Sequence, residues 1–198
     1  MTAVVETVRI AMAEESNGLT LDKMFELLEE MPVPEGYKVE IVGGAIYMSP
    51  QRDTHWEIIR RFLWALEDTF GRSAKLKSDV RFDFPGYLNG FCPDVVKLAA
   101  DAKQDARSRW DFADVEFIAE VISKDTAAND YGPKKDVYAA AGIPVYVIAD
   151  PYTGRCHVYT DPKEGEYTGE LTATFGMEID LTIAGSALTL RTDDFPRR

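Results

Sequence analysis

The residues of this chain best suited to chemistry are Asp94, Glu120 and Lys134. Asp94 follows Cys92-Pro93 and opens the apolar run Asp94-Val95-Val96-Lys97-Leu98, and Glu120 sits inside a second apolar run, Phe117 to Ile122. A carboxylate in a buried strand costs on the order of several kcal/mol unless it is paired or holds a metal. If the two runs are neighbouring strands, both carboxylates meet at one end of a sheet. Oxygen ligands of this kind suit a hard cation, Mg²⁺ or Mn²⁺, that keeps several of its waters. Asp130, Lys134 and Tyr138 recur every four residues and so share one helical face. Two carboxylates, a hard cation and an ammonium form a competent set for attack of water on a phosphodiester, the ammonium offsetting the negative charge that develops. The competing reading is structural: Asp94 caps a turn, Glu120 is ion-paired with Lys134, and Tyr138 packs.

These residues must be positioned by the stretch Phe117 to Asp150. It reads as a buried strand, a capped turn, a helix carrying Lys134 and Tyr138, and a second buried strand from Val145 to Ala149. Upstream, Thr20 caps a helix LDKMFELLEEM whose apolar stripe is Leu21, Met24, Phe25, Leu27 and Leu28, stopped by Pro32 and Pro34. YKVEIVGGAIYMSP reads as a hairpin turning at Gly43-Gly44, with Glu40 in its first strand. Thr54 to Phe70 is predicted as a helix capped by Asp53 or Thr54. Its buried face is Trp56, Ile59, Phe62, Leu63 and Leu66, and Arg60 and Arg61 turn to the other side.

KLKSDVRFDF, residues 75 to 84, alternates like one strand with a wet face, PGYLNG supplies a turn, and 99 to 114 reads as a surface loop or short irregular helix. PYTGRCHVYT and Tyr167 to Phe175 are expected as antiparallel strands joined by DPKEGE. GMEIDLTIAGSALTL is expected as a last strand pair before a polar tail. Residues 1 to 18 read as an N-terminal arm without sustained period, and 19 to 198 as a single α/β (α+β) domain with a mixed sheet.

With 45% hydrophobic and 28% charged residues, the composition is that of an ordinary globular protein. No apolar run approaches the ~20 residues that span a bilayer, and the N-terminal stretch carries acids where a signal peptide is basic; a cytoplasmic location is expected. Cys92 and Cys156 have neither zinc nor disulfide-framework spacing and read as buried free thiols. A formal charge of −12 argues against a simple nucleic-acid binder, whose affinity rests on lysine and arginine. The charge is uneven, however. Residues 52 to 81 hold seven basic side chains against five acidic, and the first forty hold three against nine. Arg52, Arg60, Arg61 and Lys77 are therefore candidates for a local nucleic-acid-binding surface, the alternative being a solvated helix face and a polar edge strand.

Cys92-Pro93-Asp94, then Glu120-Val121-Ile122-Ser123 with Thr126, Asp130, Lys134 and Tyr138, then Ala141-Gly142-Ile143-Pro144 with Tyr146 and Asp150-Pro151, resemble the Uma-two family of restriction-endonuclease-like proteins, a branch of the PD-(D/E)xK nuclease superfamily. The resemblance takes in the YKVEIVGGAIYMSP hairpin, His55 and the GMEIDL ending. It implies a restriction-endonuclease-like core, a mixed central sheet flanked by helices. Asp94, Glu120 and the backbone carbonyl of Val121 would be the ligands of Mg²⁺ or Mn²⁺.

The superfamily's lysine, two residues after the acid, is replaced here by Ile122. The family pattern instead offers a lysine from the following helix, and Lys134 matches it; Lys135 is adjacent but points elsewhere. Glu40 matches a recurrent family position for a further acid. His55 could act on a phosphate or a proton, although a lone histidine at a helix start is more often a local hydrogen-bond partner. Tyr138 completes the accessory candidates. The function so implied is metal-dependent endonucleolytic hydrolysis of DNA, with a homodimer expected from the resemblance alone. The alternative is a non-catalytic binding or assembly protein that keeps the nuclease fold.

Overall fold

The computed structural model describes residues 18–33, 35–50 and 52–198; the predicted arm at 1 to 18 lies almost wholly outside the described residues. A six-stranded sheet in the order β10-β9-β8-β7-β6-β3 forms the centre. Its two middle strands, β7 (Val115–Val121) and β8 (Val145–Asp150), are parallel and wholly or almost wholly buried. A parallel pair needs a crossover, here α3 (Ala127–Tyr131) and α4 (Pro133–Ala140). β6 (Val95–Leu98) runs antiparallel to β7, with Val95 opposite Ala119, and β3 (Leu76–Lys77) is the edge beyond it. On the other side, β9 (Arg155–Lys163) and β10 (Glu166–Thr174) extend the sheet as a long hairpin.

The two faces of this sheet carry different partners. Val95, Phe117, Ala119, Val121, Val147 and Ala149 point to one face. There they pack on Ile58, Ile59, Phe62 and Leu66 of α2 (Asp53–Phe70) and on the hairpin β11 (Glu178–Ile183) and β12 (Ser186–Arg191). Burying each of the larger side chains contributes about 1.5–3 kcal/mol. The alternate residues Val96, Leu98, Ile118, Tyr146 and Ile148 point to the opposite face, against Tyr138 of α4 and Phe82, Phe84 and Phe91. Those phenylalanines belong to a second sheet, β2-β1-β5-β4, built from β1 (Tyr37–Val42), β2 (Ala45–Pro50), β4 (Phe82–Phe84) and β5 (Asn89–Phe91). α1 (Leu21–Glu30) buries Met24 and Leu28 with Ile41 of β1.

The β1–β2 hairpin turns at Gly43-Gly44, both with positive φ (58° and 79°) as a two-residue primed turn requires. Thr20 caps α1 by accepting from the Lys23 amide. Cys92 and Cys156 are buried free thiols. Among the described residues no helix is long and apolar enough to cross a membrane.

Several expectations are corrected. Residues 75 to 84 are not one strand: Asp79 adopts φ 55°, and β3 and β4 on either side of it join different sheets. The helix after Glu120 is broken at Gly132-Pro133, because proline starts a helix better than it continues one. Arg52, rather than Asp53 or Thr54, takes the N-cap position of α2. Leu27 and Trp56 stand exposed rather than on the buried stripes. The β9–β10 turn is confined to Glu164-Gly165 within DPKEGE. The tail is not simply polar, since Phe195 is buried on Phe62 and Phe175.

Candidate metal centre

Strand alternation sends Glu120 to the same face as Ile118, where Tyr138 and the second sheet close over it. Asp94 precedes β6 by one residue, next to Glu120, and the Asp94 amide donates to Glu120 Oε2 at 3.3 Å. Around these two acids lie Glu40 from β1, Asp130 from α3, and two lysines, Lys38 and Lys134, all buried or nearly so.

Lys134 is held on three sides. Its ammonium lies 2.6 Å from Glu120 Oε1, 3.0 Å from Asp130 Oδ1 and 3.1 Å from Glu40 Oε1, with the Phe91 ring beneath it. The contact to Asp130 spans the helix break. Glu40 Oε1 also accepts from the Cys92 amide at 2.8 Å. Lys38 enters from β1, two residues before Glu40, and lies 2.7 Å from Asp94 Oδ1 and 3.5 Å from Glu120 Oε2. Each acid's remaining oxygen is anchored: Asp94 Oδ2 accepts from the Val121 amide at 2.7 Å, and Glu120 Oε1 accepts from Tyr138 Oη at 2.8 Å.

Four carboxyl groups face two ammoniums without free access to water, and the protonation equilibria respond. Burial pushes Glu120 up to about 8, with Lys134 and Lys38 pulling against it. Asp130 is raised by the same cause. Burial would also raise Asp94, but the charge and hydrogen bond of Lys38 and the Val121 amide outweigh it, and Asp94 ends below the usual carboxylate range. Burial would lower both lysines; the facing carboxylates, Asp94 first for Lys38 and Asp130 first for Lys134, hold them well above the ordinary lysine range. The two strand carboxyls thus split, one readily ionised and the other retaining its proton towards neutral pH.

The cluster opens on a narrow cleft of about 10 Å³, room for about one water, lined by Lys38, Ser49, His55, Asp94, Glu120 and Thr126, among others; Val121 and Ser123 also border it. His55, buried at the start of α2, has its pKa lowered by burial, and its Nδ1 has no hydrogen-bond partner among the described residues.

Of the residues singled out from sequence, the fold gathers Asp94, Glu120, Lys134, Glu40, Tyr138 and His55, with Val121 at the rim. Lys135 turns away, over the Tyr159 ring. Ile122 is buried in the aromatic cluster near Tyr138. Arg60 and Arg61 both pair with Glu57, Arg60 also lying over Trp64, while Lys77 lies over Trp110 on edge strand β3. Arg52 is exposed at the N-cap of α2. Sequence reasoning missed Lys38. A signal existed: residues i and i+2 of a strand share a face, so wherever Glu40 points, Lys38 points too.

The donor set fits a hard divalent cation. The facing atoms are carboxylate oxygens, and Lys38 demonstrates that a single cation can touch both Asp94 and Glu120. No group of three His, Cys, Asp or Glu side chains among the described residues is arranged to hold a metal. A cation here would therefore be a water-rich one, held by two carboxylates in the manner of Mg²⁺.

The family described as "Uma2: Putative restriction endonuclease" matches residues 25–191. Among solved structures, the chain is similar to a "putative nuclease belonging to DUF820" from Anabaena variabilis ATCC 29413. The TM-score is 0.62 and the identity 16%, over 82% of this chain and 89% of that one, a likeness of fold. No curated protein matches the chain. The family match spans most of the sequence, and the chain belongs to the Uma2 family of restriction-endonuclease-like proteins.

Proposed function

We propose that the protein is a metal-dependent nuclease that hydrolyses phosphodiester bonds of DNA, acting at the cluster around Asp94 and Glu120. The observation that carries this reading is the convergence of those two carboxylates, from adjacent strands, on one cation position beside a second ammonium. Asp94, Glu120 and the Val121 carbonyl would hold Mg²⁺ or Mn²⁺, which supplies Lewis acidity towards a phosphoryl oxygen and the attacking water. The Val121 amide and the Tyr138 hydroxyl keep the two carboxylates in position. Lys134, tied to Glu120, Asp130 and Glu40 behind the cleft, would hold Glu120 in place and offset part of the negative charge that gathers around the metal position. His55, on the cleft wall with one free ring nitrogen, is placed to meet a proton or a phosphate oxygen.

A formal charge of −12 restricts nucleic-acid contact to a local basic patch. A second reading, a binding or assembly protein that retains the nuclease fold, is favoured by one observation: Ile122 fills the position two residues after Glu120, where the superfamily's lysine would stand. Cleavage assays separate the two. The chain and its Asp94→Ala and Glu120→Ala variants are incubated with Mg²⁺ or Mn²⁺ and a panel of single-stranded, duplex and structured DNAs. Cleavage by the parent that both variants lose supports the nuclease. Cleavage that survives in them, or is absent throughout, leaves the binding protein. The homodimer implied by the family resemblance is checked by sedimentation of the same preparations.

A further inference from the structure

The two lysines of the cluster are not equivalent. Lys134 does not line the cleft; it is 1% exposed and tied to acids from three elements. Lys38 lines the cleft and has one close partner, Asp94 Oδ1, with Glu120 Oε2 and Glu40 Oε2 at 3.5 and 3.9 Å. Its strand belongs to the second sheet, so its ammonium reaches the carboxylates across the cleft and not from their own sheet.

The carboxylates are also divided within themselves. Asp94 Oδ2 is fixed by the Val121 amide, and Glu120 Oε1 by Tyr138 and Lys134. The other oxygen of each, Asp94 Oδ1 and Glu120 Oε2, faces Lys38. Removing the Lys38 ammonium would thus leave both acids anchored, with one oxygen each aimed at the space it had filled. A lysine is a compact charge on a flexible four-carbon stem, suited to such a withdrawal.

We propose that Lys38 is an exchangeable counter-cation: its ammonium neutralises the Asp94–Glu120 pair and swings out from between the two carboxylates when a divalent metal binds there. The exchange rests on the metal assignment made above for Asp94 and Glu120, but not on nuclease activity. It makes the apparent metal affinity a competition between a tethered charge and a free one.

The test uses the full chain with MnCl₂ and no nucleic acid. Calorimetry on the parent, Lys38→Met and Lys38→Arg should show Lys38→Met binding Mn²⁺ at least about tenfold more tightly than the parent, since a buried like charge has been removed, with Lys38→Arg no tighter than the parent. To keep the test independent of how Lys38→Met folds without metal, the parent is also labelled with an amine-acetylating reagent and mapped by mass spectrometry. Saturating Mn²⁺ should raise labelling of Lys38 severalfold and leave Lys134 protected. Mn²⁺ binding with unchanged Lys38 labelling and unchanged affinity in Lys38→Met would overturn the exchange and leave the metal site standing. Absence of Mn²⁺ binding in every protein would overturn both. Tighter binding and raised labelling without cleavage of any DNA would support the exchange while removing the nuclease.

Discussion

The two faces of β6 and β7 are built from alternate residues of the same strands, yet they serve opposite ends. On the α2 side, Val95, Phe117, Ala119 and Val121 enter an apolar core. On the α4 side, Asp94 and Glu120 lead into six buried charged or chargeable groups, four acids and two lysines. The dry face gains stability from each side chain it buries. The charged face holds more acid than base away from water, an arrangement that apolar residues could replace without loss of stability. Positions that do not serve stability and are nonetheless fully supported by hydrogen bonds are those expected to serve chemistry.

The contrast can be broken in graded ways. The largest effect is expected for Glu120→Gln, which keeps shape and removes the carboxylate a metal would need: cleavage should fall by at least about a hundredfold, while urea unfolding at neutral pH shows no loss of stability. Phe117→Ala on the opposite face should do the reverse. It should cost about 3–5 kcal/mol in urea unfolding, through its contact with Phe62, by an amount that neither pH nor Mn²⁺ alters. Lys134→Met sits between the two. It strands three acids around an absent charge and should cost about 3–5 kcal/mol, partly recovered at low pH as those acids are protonated.

A subtler effect separates the faces by pH. Because folding raises the Glu120 pKa from 4.5 to about 8, the folded state binds that proton more tightly than the unfolded chain. The resulting stability is complete below pH 4.5 and is lost as pH rises towards 8. Glu120→Gln should therefore flatten the stability profile across that window, matching the parent near neutral pH and exceeding it towards pH 8 in thermal melts. The smallest effect belongs to the surface. Reversing Arg60 and Arg61, already paired with Glu57, should weaken DNA association only severalfold at low salt, the gap closing as salt rises.

Much of this contrast was legible in the chain. An acid within Phe117 to Ile122 signals its own cost, and Gly43-Gly44 and the buried runs at β6 to β8 announce their elements. What escaped depended on contacts between sheets. Lys38 reads as an ordinary strand lysine until the second sheet is laid across the first. The break at Asp79, which sends β3 and β4 to different sheets, has no periodic signature because both halves alternate correctly. Arg60 and Arg61 looked like a free basic face because pairing with Glu57 appears only on the folded helix. Ile122 was visible as an anomaly, and the fold accounts for it: the side chain fills the aromatic cluster around Tyr138, and Lys38 and Lys134 bring ammoniums from elsewhere.

Anomalous diffraction from crystals of the protein soaked in MnCl₂ shows whether Asp94 and Glu120 together hold one divalent cation. A single strong Mn²⁺ peak is expected within ligand distance of Asp94 Oδ1 and Glu120 Oε2, about 2.1–2.2 Å from each, with the Lys38 ammonium displaced from between them. A peak elsewhere, or none, with Lys38 still bridging the two carboxylates at saturating Mn²⁺, would contradict it.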